Sequence, residues 1–126
     1  SIYFDLKNKK TFYINGKKLK TIDGTPVRDF ISISDIVNAH LECIWQKKNK
    51  KFWNKIFNVG INKGLSVLQI IKSCNKILKN KIAYELIDNN KGEIEKSIAD
   101  NSKFLKLSNW RPTFTKNNKI VRSFFK

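Results

Sequence analysis

Methionine is absent from these 126 residues, and histidine occurs only once, at His40. With no methionine at position 1, either an initiator was removed before Ser1 or the stretch is a fragment of a longer reading frame; the motif order favours the fragment. His40 falls in the middle of an apparent helix, so no Ser/His/Asp set can be assembled around it. The two cysteines, Cys43 and Cys74, lack the spacing of a zinc site. Each lies in an amphipathic helical pattern and is expected to be a buried free thiol in a reducing compartment. No apolar run approaches the ~20 residues of a membrane span, and no signal-peptide pattern opens the chain. A cytoplasmic protein without a membrane partner is the expectation. None of the five glycines builds a G-x-G-x-x-G phosphate loop. Gly60 and Gly64 flank Ile61-Asn62-Lys63 ahead of a helix, which signals a loop and no more.

Arginine is scarce as well, confined to Arg28, Arg111 and Arg122. Lysine carries most of the 26 basic residues, which against 10 acidic ones give a net charge of +16. Such an excess normally points to nucleic acid or an anionic membrane. Here the lysines are scattered and accompanied by asparagine and isoleucine, all three with A/T-rich codons. Mutational bias on solvated faces accounts for that, and nucleic acid is not the expected partner. A hydrophobic fraction of 40% with 12% aromatics suits one modest folded domain. There is no internal repeat and no low-complexity linker.

The pattern predicts short strands alternating with helices, an α/β chain. Residues 11–15 read as a strand ending at Gly16, and 21–26 as a loop turning on Asp23-Gly24. Residues 28–33 are extended, and Ser34 stands where an N-cap belongs. Ile36, Val37, Leu41, Ile44 and Trp45 follow at helical spacing, to about Lys47. The lysine-rich stretch 47–55 is a loop whose Phe52 and Trp53 can pack back on that helix. Residues 56–60 read as a buried strand ending at glycine. Ser66 and Gln69 have capping-box spacing, and Leu65 and Ile70 have hydrophobic-staple spacing. Val67, Ile70, Ile71, Cys74, Ile77 and Leu78 form one apolar face. Another strand is expected over 82–87, then a turn over 88–93. Asp100 is expected to cap a short helix bearing Phe104, Leu105 and Leu107, broken by Asn109-Trp110-Arg111-Pro112. A last helix begins near Asn118 and runs to Lys126.

Tyr-x-x-x-Lys, a proton-transfer spacing, occurs at Tyr3/Lys7 and Tyr13/Lys17. Lysine is common enough to make both chance hits, and Asn15-Gly16 breaks the second. Arg28 carries more. Its guanidinium is permanently charged and forked, the natural partner of a diphosphate, and a strand holds it more firmly than a mobile helix would. From spacing alone, an Arg28–Asp29 ion pair is an equal alternative.

Thr21-x-Asp23-Gly24-Thr25-x-x-Arg28-Asp29-Phe30-Ile31-x-Ile33-x-Asp35, followed by Ala39-His40, resembles the signature of the UDP-glucose 4-epimerases. Phe57-Asn58-Val59-Gly60, Gly64-x-Ser66-Val67, Gly92-Glu93, Ala99-Asp100-Asn101-Ser102-Lys103 and Trp110-x-Pro112 follow in that family's order. The resemblance implies an extended short-chain dehydrogenase/reductase, with an NAD-binding Rossmann half and a C-terminal substrate-binding part. Residues 1–126 match only that C-terminal part, so the Rossmann half and the catalytic serine, tyrosine and lysine would lie before Ser1. The implied reaction interconverts UDP-glucose and UDP-galactose by NAD-dependent oxidation and reduction at C4, in hexose metabolism, with a homodimer open to the full-length protein.

By position, Arg28 is expected on the UDP diphosphate, Phe30 near the nucleotide, Tyr13, Ile14 and Asn15 along the uracil, and Glu93 on the ribose hydroxyls. The family's arginine three residues before that acid is Asn90 here, with Lys91 supplying charge beside it. Losing that charged hydrogen bond would cost about 1–3 kcal/mol of nucleotide affinity. The resemblance gives no catalytic residue and no metal ligand within the chain. A sister nucleotide-sugar epimerase or dehydratase and, from another class, a basic nucleic-acid-binding module are the alternatives.

Overall fold

The computed structural model describes residues 11–78, 81–88 and 92–124. Asn90, Lys91 and the Tyr3/Lys7 pair lie outside the described residues. Two small sheets and four α-helices make up the described fold. The strands are β1 (Phe12–Asn15), β2 (Val27–Asp29), β3 (Gly64–Ser66), β4 (Tyr84–Ile87) and β5 (Lys96–Ser97). The helices are α1 (Ile33–Trp45), α2 (Val67–Ile77), α3 (Ser102–Leu107) and α4 (Asn117–Ser123).

Strand β1 runs parallel to β4, from Phe12 opposite Tyr84 to Asn15 opposite Ile87. The second sheet has the order β3-β2-β5, so β2 is its central strand. It is antiparallel to β3 and parallel to β5, with Arg28 opposite Leu65 on one side and Ser97 on the other. The residue singled out by its scarcity is thus held from both sides. Ahead of it the chain turns at Gly24, whose φ is +78°. A Cβ there would stand 2.6 Å from the Lys17 carbonyl oxygen, so glycine is required on both counts.

The capping box at α2 is present as read: Ser66 Oγ accepts from Gln69 N, and Gln69 Oε1 accepts from Ser66 N. Ile70, Ile71 and Cys74 are buried, with Val67, Ile77 and Leu78 packed around them. Ile14 of β1 and Ile120 and Val121 of α4 join this core, together with Ile61, Leu65, Leu68 and Ile82. A second, aromatic core gathers Phe52, Phe104 and Trp110 with Ala39. Phe104 is fully buried, its ring centroid 5.2 Å from those of both Phe57 and Trp110.

Several expectations change. The N-cap of α1 is Ser32 rather than Ser34, because Ser32 Oγ accepts the Asp35 N–H. The face of α1 turned inward carries two carboxylates around one apolar residue: Asp35, Ala39 and Glu42 are buried. The buried carboxylates accept from backbone N–H groups and, at Glu42, also from the Gln46 side-chain amide. Asp35 accepts from Thr113 N and Phe114 N, and Glu42 from Asn109 N. Most of the apolar stripe faces out: Val37, Leu41, Ile44 and Trp45 are exposed and Ile36 is half-buried, and Ile33 ahead of them is exposed as well.

Residues 56–60 form no strand and find no ladder partner among the described residues; Phe57 packs instead on Phe52 and Phe104. The N-cap of α3 is Asn101, although Asp100 Oδ1 accepts the Ser102 N–H. Helix α4 ends at Ser123, and the Lys126 to which it was expected to run lies outside the described residues. Phe52 does pack back and is buried, whereas Trp53 is exposed with its indole N–H donated to the Lys47 carbonyl. Of the two thiols only Cys74 is buried, and burial pushes its pKa up to about 11. Cys43 is exposed on α1.

Asp23 ties the Asp-Gly turn to α2. It accepts from Thr25 N and Oγ1 and from the N-cap hydroxyl of Ser66. Partial burial pushes its pKa upward, but the Ser66 and Thr25 hydrogen bonds outweigh this and hold it below the usual carboxylate value. A depressed folded pKa stabilises above the unfolded value and is lost as pH falls through the folded one. Stability curves of the native chain and Asp23→Asn are therefore expected to differ at neutral pH and to converge below about pH 4. Urea midpoints measured across that range check it; a constant separation would show that ionisation of Asp23 does not matter.

Candidate functional site

Arg28 stands at the junction of two hollows. A cavity of about 210 Å³ is lined by Tyr13, Ile14 and Asn15 of β1, by Arg28, and by Glu93. A wider hollow of about 410 Å³ on its other flank is lined by Asp29, Asn58, Ser97 and Ala99, again with Arg28. β1 reaches the site because it pairs with β4, and the Pro26 carbonyl that precedes β2 accepts the Val67 N–H. Pro26 and Val67 add apolar wall to the smaller cavity.

The guanidinium is pinned. Its Nη2 donates to Glu93 Oε1 at 2.6 Å, and its Nη1 donates to Ile94 O at 2.7 Å and to Val27 O at 3.0 Å. Those bonds use both Nη1 hydrogens and one on Nη2, leaving Nε–H and a second Nη2 hydrogen for an acceptor. The side chains of Arg28 and Glu93 remain 31% and 20% exposed, so the pair is reachable from solvent. A forked cation beside a carboxylate, at the mouth of a partly apolar cavity, can bind an anion while the carboxylate accepts hydroxyl hydrogens.

Asp29, the next residue, does not pair with Arg28. Its carboxylate accepts from Ile61 N, Asn62 N and Ala99 N, tying segment 58–62 to the start of α3. Gly60 makes this approach possible, since a Cβ there would lie 2.5 Å from Asp29 Oδ2. Asn101 Nδ2 donates to Gly60 O and closes the same junction. The wider hollow therefore has a rigid wall.

Tyr13, Ile14, Asn15, Arg28 and Glu93 thus meet at one cavity. Ile14 does so while also belonging to the core, and Tyr13 is largely exposed. Phe30 is not at the cavity; it is half-buried against the first core. The structure does not describe Asn90 and Lys91. Asn58 and Ser97 in the second hollow, and the Val27 and Ile94 carbonyls on Arg28, are additions beyond the sequence reading. Only the ordered Phe57-Asn58-Val59-Gly60 motif hinted at the first of them. Among the described residues no cluster of His, Cys, Asp and Glu could hold a metal ion, and no helix is long and apolar enough to cross a membrane.

No protein-family model matches the chain. UDP-glucose 4-epimerase of Dictyostelium discoideum is 34% identical over 100 residues, a match covering 79% of this chain and 29% of that protein. The UDP-Glc/GlcNAc 4-epimerase structure from Campylobacter jejuni matches with a TM-score of 0.82 at 32% identity, over 96% of this chain and 37% of that one. UDP-glucose 4-epimerase from Bifidobacterium longum, solved in complex with NAD+ and UDP, matches with a TM-score of 0.76 at 30% identity, over 90% and 33%. The chain spans about a third of the length of these proteins. Over the part it spans, the chain consistently matches UDP-glucose 4-epimerases in sequence and in fold.

Proposed function

We propose that this chain is the C-terminal, UDP-sugar-binding portion of a UDP-glucose 4-epimerase, interconverting UDP-glucose and UDP-galactose when joined to the rest of the enzyme. The observation that carries this reading is the convergence of Tyr13, Ile14, Asn15, Arg28 and Glu93 on one cavity, with two guanidinium donors left without a partner among the described residues. Uracil lies along β1, Glu93 accepts the ribose hydroxyls, and Arg28 clamps the diphosphate. The sugar extends toward the wider hollow beyond Arg28, lined by Asn58 and Ser97.

NAD supplies hydride acceptance and return at the sugar C4 in this chemistry. The described residues do not fit that group. They contain no glycine-rich phosphate loop, and the best helix N-terminus, that of α2, is already satisfied by Ser66 and Gln69. We assign NAD binding and proton transfer to the Rossmann part of the relatives, outside this chain. The uncovered apolar stripe of α1, from Ile33 to Trp45, supports a partner of that kind packing there. The protein so assembled is read as a cytoplasmic enzyme.

UDP and UDP-glucose are expected to raise the thermal midpoint of the chain at physiological salt, and single-stranded DNA is not. With added NAD the chain alone is expected to leave UDP-galactose unchanged. Stabilisation by DNA only, with a steep salt slope, would replace this reading by nucleic-acid binding. Turnover by the chain alone would overturn the assignment of chemistry to a separate part.

A further inference from the structure

Resting on the UDP-binding reading, we propose that Glu93 is a positioning residue for Arg28, so that the ribose and diphosphate subsites work as one unit. A ribose ligand alone would need only an acceptor at the cavity. Glu93 instead spends Oε1 on Arg28 Nη2, at 2.6 Å. Its neighbour Ile94 contributes the carbonyl that holds Nη1. The two residues lead directly into β5, and the chain there is anchored to the central strand, since Val27 N donates to Glu95 O at 2.9 Å. Glu95 also reaches back through its side chain to Lys20 N. The segment 93–95 is therefore a fixed platform against which a long, flexible arginine is immobilised.

This arrangement has a chemical consequence. With both Nη1 hydrogens on backbone carbonyls and one Nη2 hydrogen on Glu93, the guanidinium cannot rotate without breaking several bonds. Its Nε–H and remaining Nη2 hydrogen point in a direction set before any anion arrives. Immobilising a side chain of this length opposes binding unless it is done beforehand. The carboxylate also repels a diphosphate, so its positioning effect and its charge act in opposite directions. Substitutions that share the same charge separate the two.

Glu93→Gln and Glu93→Ala are both neutral at this position, and only glutamine keeps an acceptor for Nη2. Binding of inorganic pyrophosphate, which has no ribose, is measured on the full chain by calorimetry for both variants, with uridine and UDP in parallel. The glutamine variant is expected to bind pyrophosphate about fivefold more tightly than the alanine variant, the ordering cost of one long side chain. Equal pyrophosphate affinities, with uridine alone weakened by alanine, would reduce Glu93 to a ribose ligand and overturn the proposal. Unchanged far-ultraviolet dichroism and thermal midpoints in both variants exclude a folding defect as the cause. A native chain that binds neither UDP nor pyrophosphate would overturn the UDP-binding reading itself, an outcome distinct from equal variants on a binding-competent chain.

Discussion

Asp35→Ala is expected to destabilise the chain by about 3 kcal/mol, because two backbone donors lose their acceptor at once. Asp35 is 1% exposed. One carboxylate oxygen accepts the Thr113 N–H and the other the Phe114 N–H, each at 3.0 Å. Its own N–H is taken by the Ser32 cap, and its carbonyl accepts the Trp110 indole N–H. One residue thus joins the start of α1 to the loop ahead of α4. That loop has no regular structure of its own, and it delivers the fully buried Ile120 and Val121 to the core. Leaving a buried donor unpaired costs about 1–3 kcal/mol for each group, so two place the variant near 3. Against a total stability of roughly 5–15 kcal/mol, that is a large share. Asp35→Asn keeps one acceptor but turns an amide donor toward the other N–H, so it is expected to recover about half of the loss or less. Urea unfolding of the three proteins checks both values. A loss under about 1 kcal/mol for alanine would mean that water satisfies the freed N–H groups.

The same residue shows where the sequence was readable and where it was not. Helix α2 was legible in its cap and most of its apolar face, since both signals are local and agree with one another. α1 was legible as a helix but not in orientation. Its hydrophobic stripe reads as a face to be buried, but the described fold leaves most of it exposed and buries Asp35 and Glu42 instead. Periodicity reports what a face prefers and cannot say which element or partner covers it. The 56–60 run failed for a related reason, since a strand needs a neighbour to form a ladder. At the site, Arg28 stood out because it is a rare fork among lysines, and Glu93 through the order of motifs. The Val27 and Ile94 carbonyls that pin Arg28 were out of reach, because every residue carries a carbonyl; Val27 is merely the preceding residue, and only the pairing of β2 with β5 brings Ile94 close.

Arg28→Ala is expected to weaken UDP binding by about 30- to 100-fold, the removal of a forked, charge-assisted contact worth about 2–3 kcal/mol. Loss of the ion pair itself is a small matter for stability, because both side chains are partly exposed and solvent screens them. The thermal midpoint is expected to stay within about 2 °C, which corresponds to a few tenths of a kcal/mol. The discriminating comparison is Arg28→Lys, which keeps the charge and removes the geometry. A single ammonium cannot serve Ile94 O, Glu93 and a diphosphate in the directions that the guanidinium spans, so about tenfold weaker binding is expected. Uridine, without phosphates, is expected to bind all three proteins within about threefold of one another. Calorimetric titrations with UDP and uridine separate the cases. Full recovery by lysine would mean that Arg28 contributes charge alone, and an equal loss of uridine binding would place it against the nucleoside rather than the diphosphate. The expected order, arginine above lysine above alanine for UDP only, is what a clamp held by strand β2 between two hollows requires.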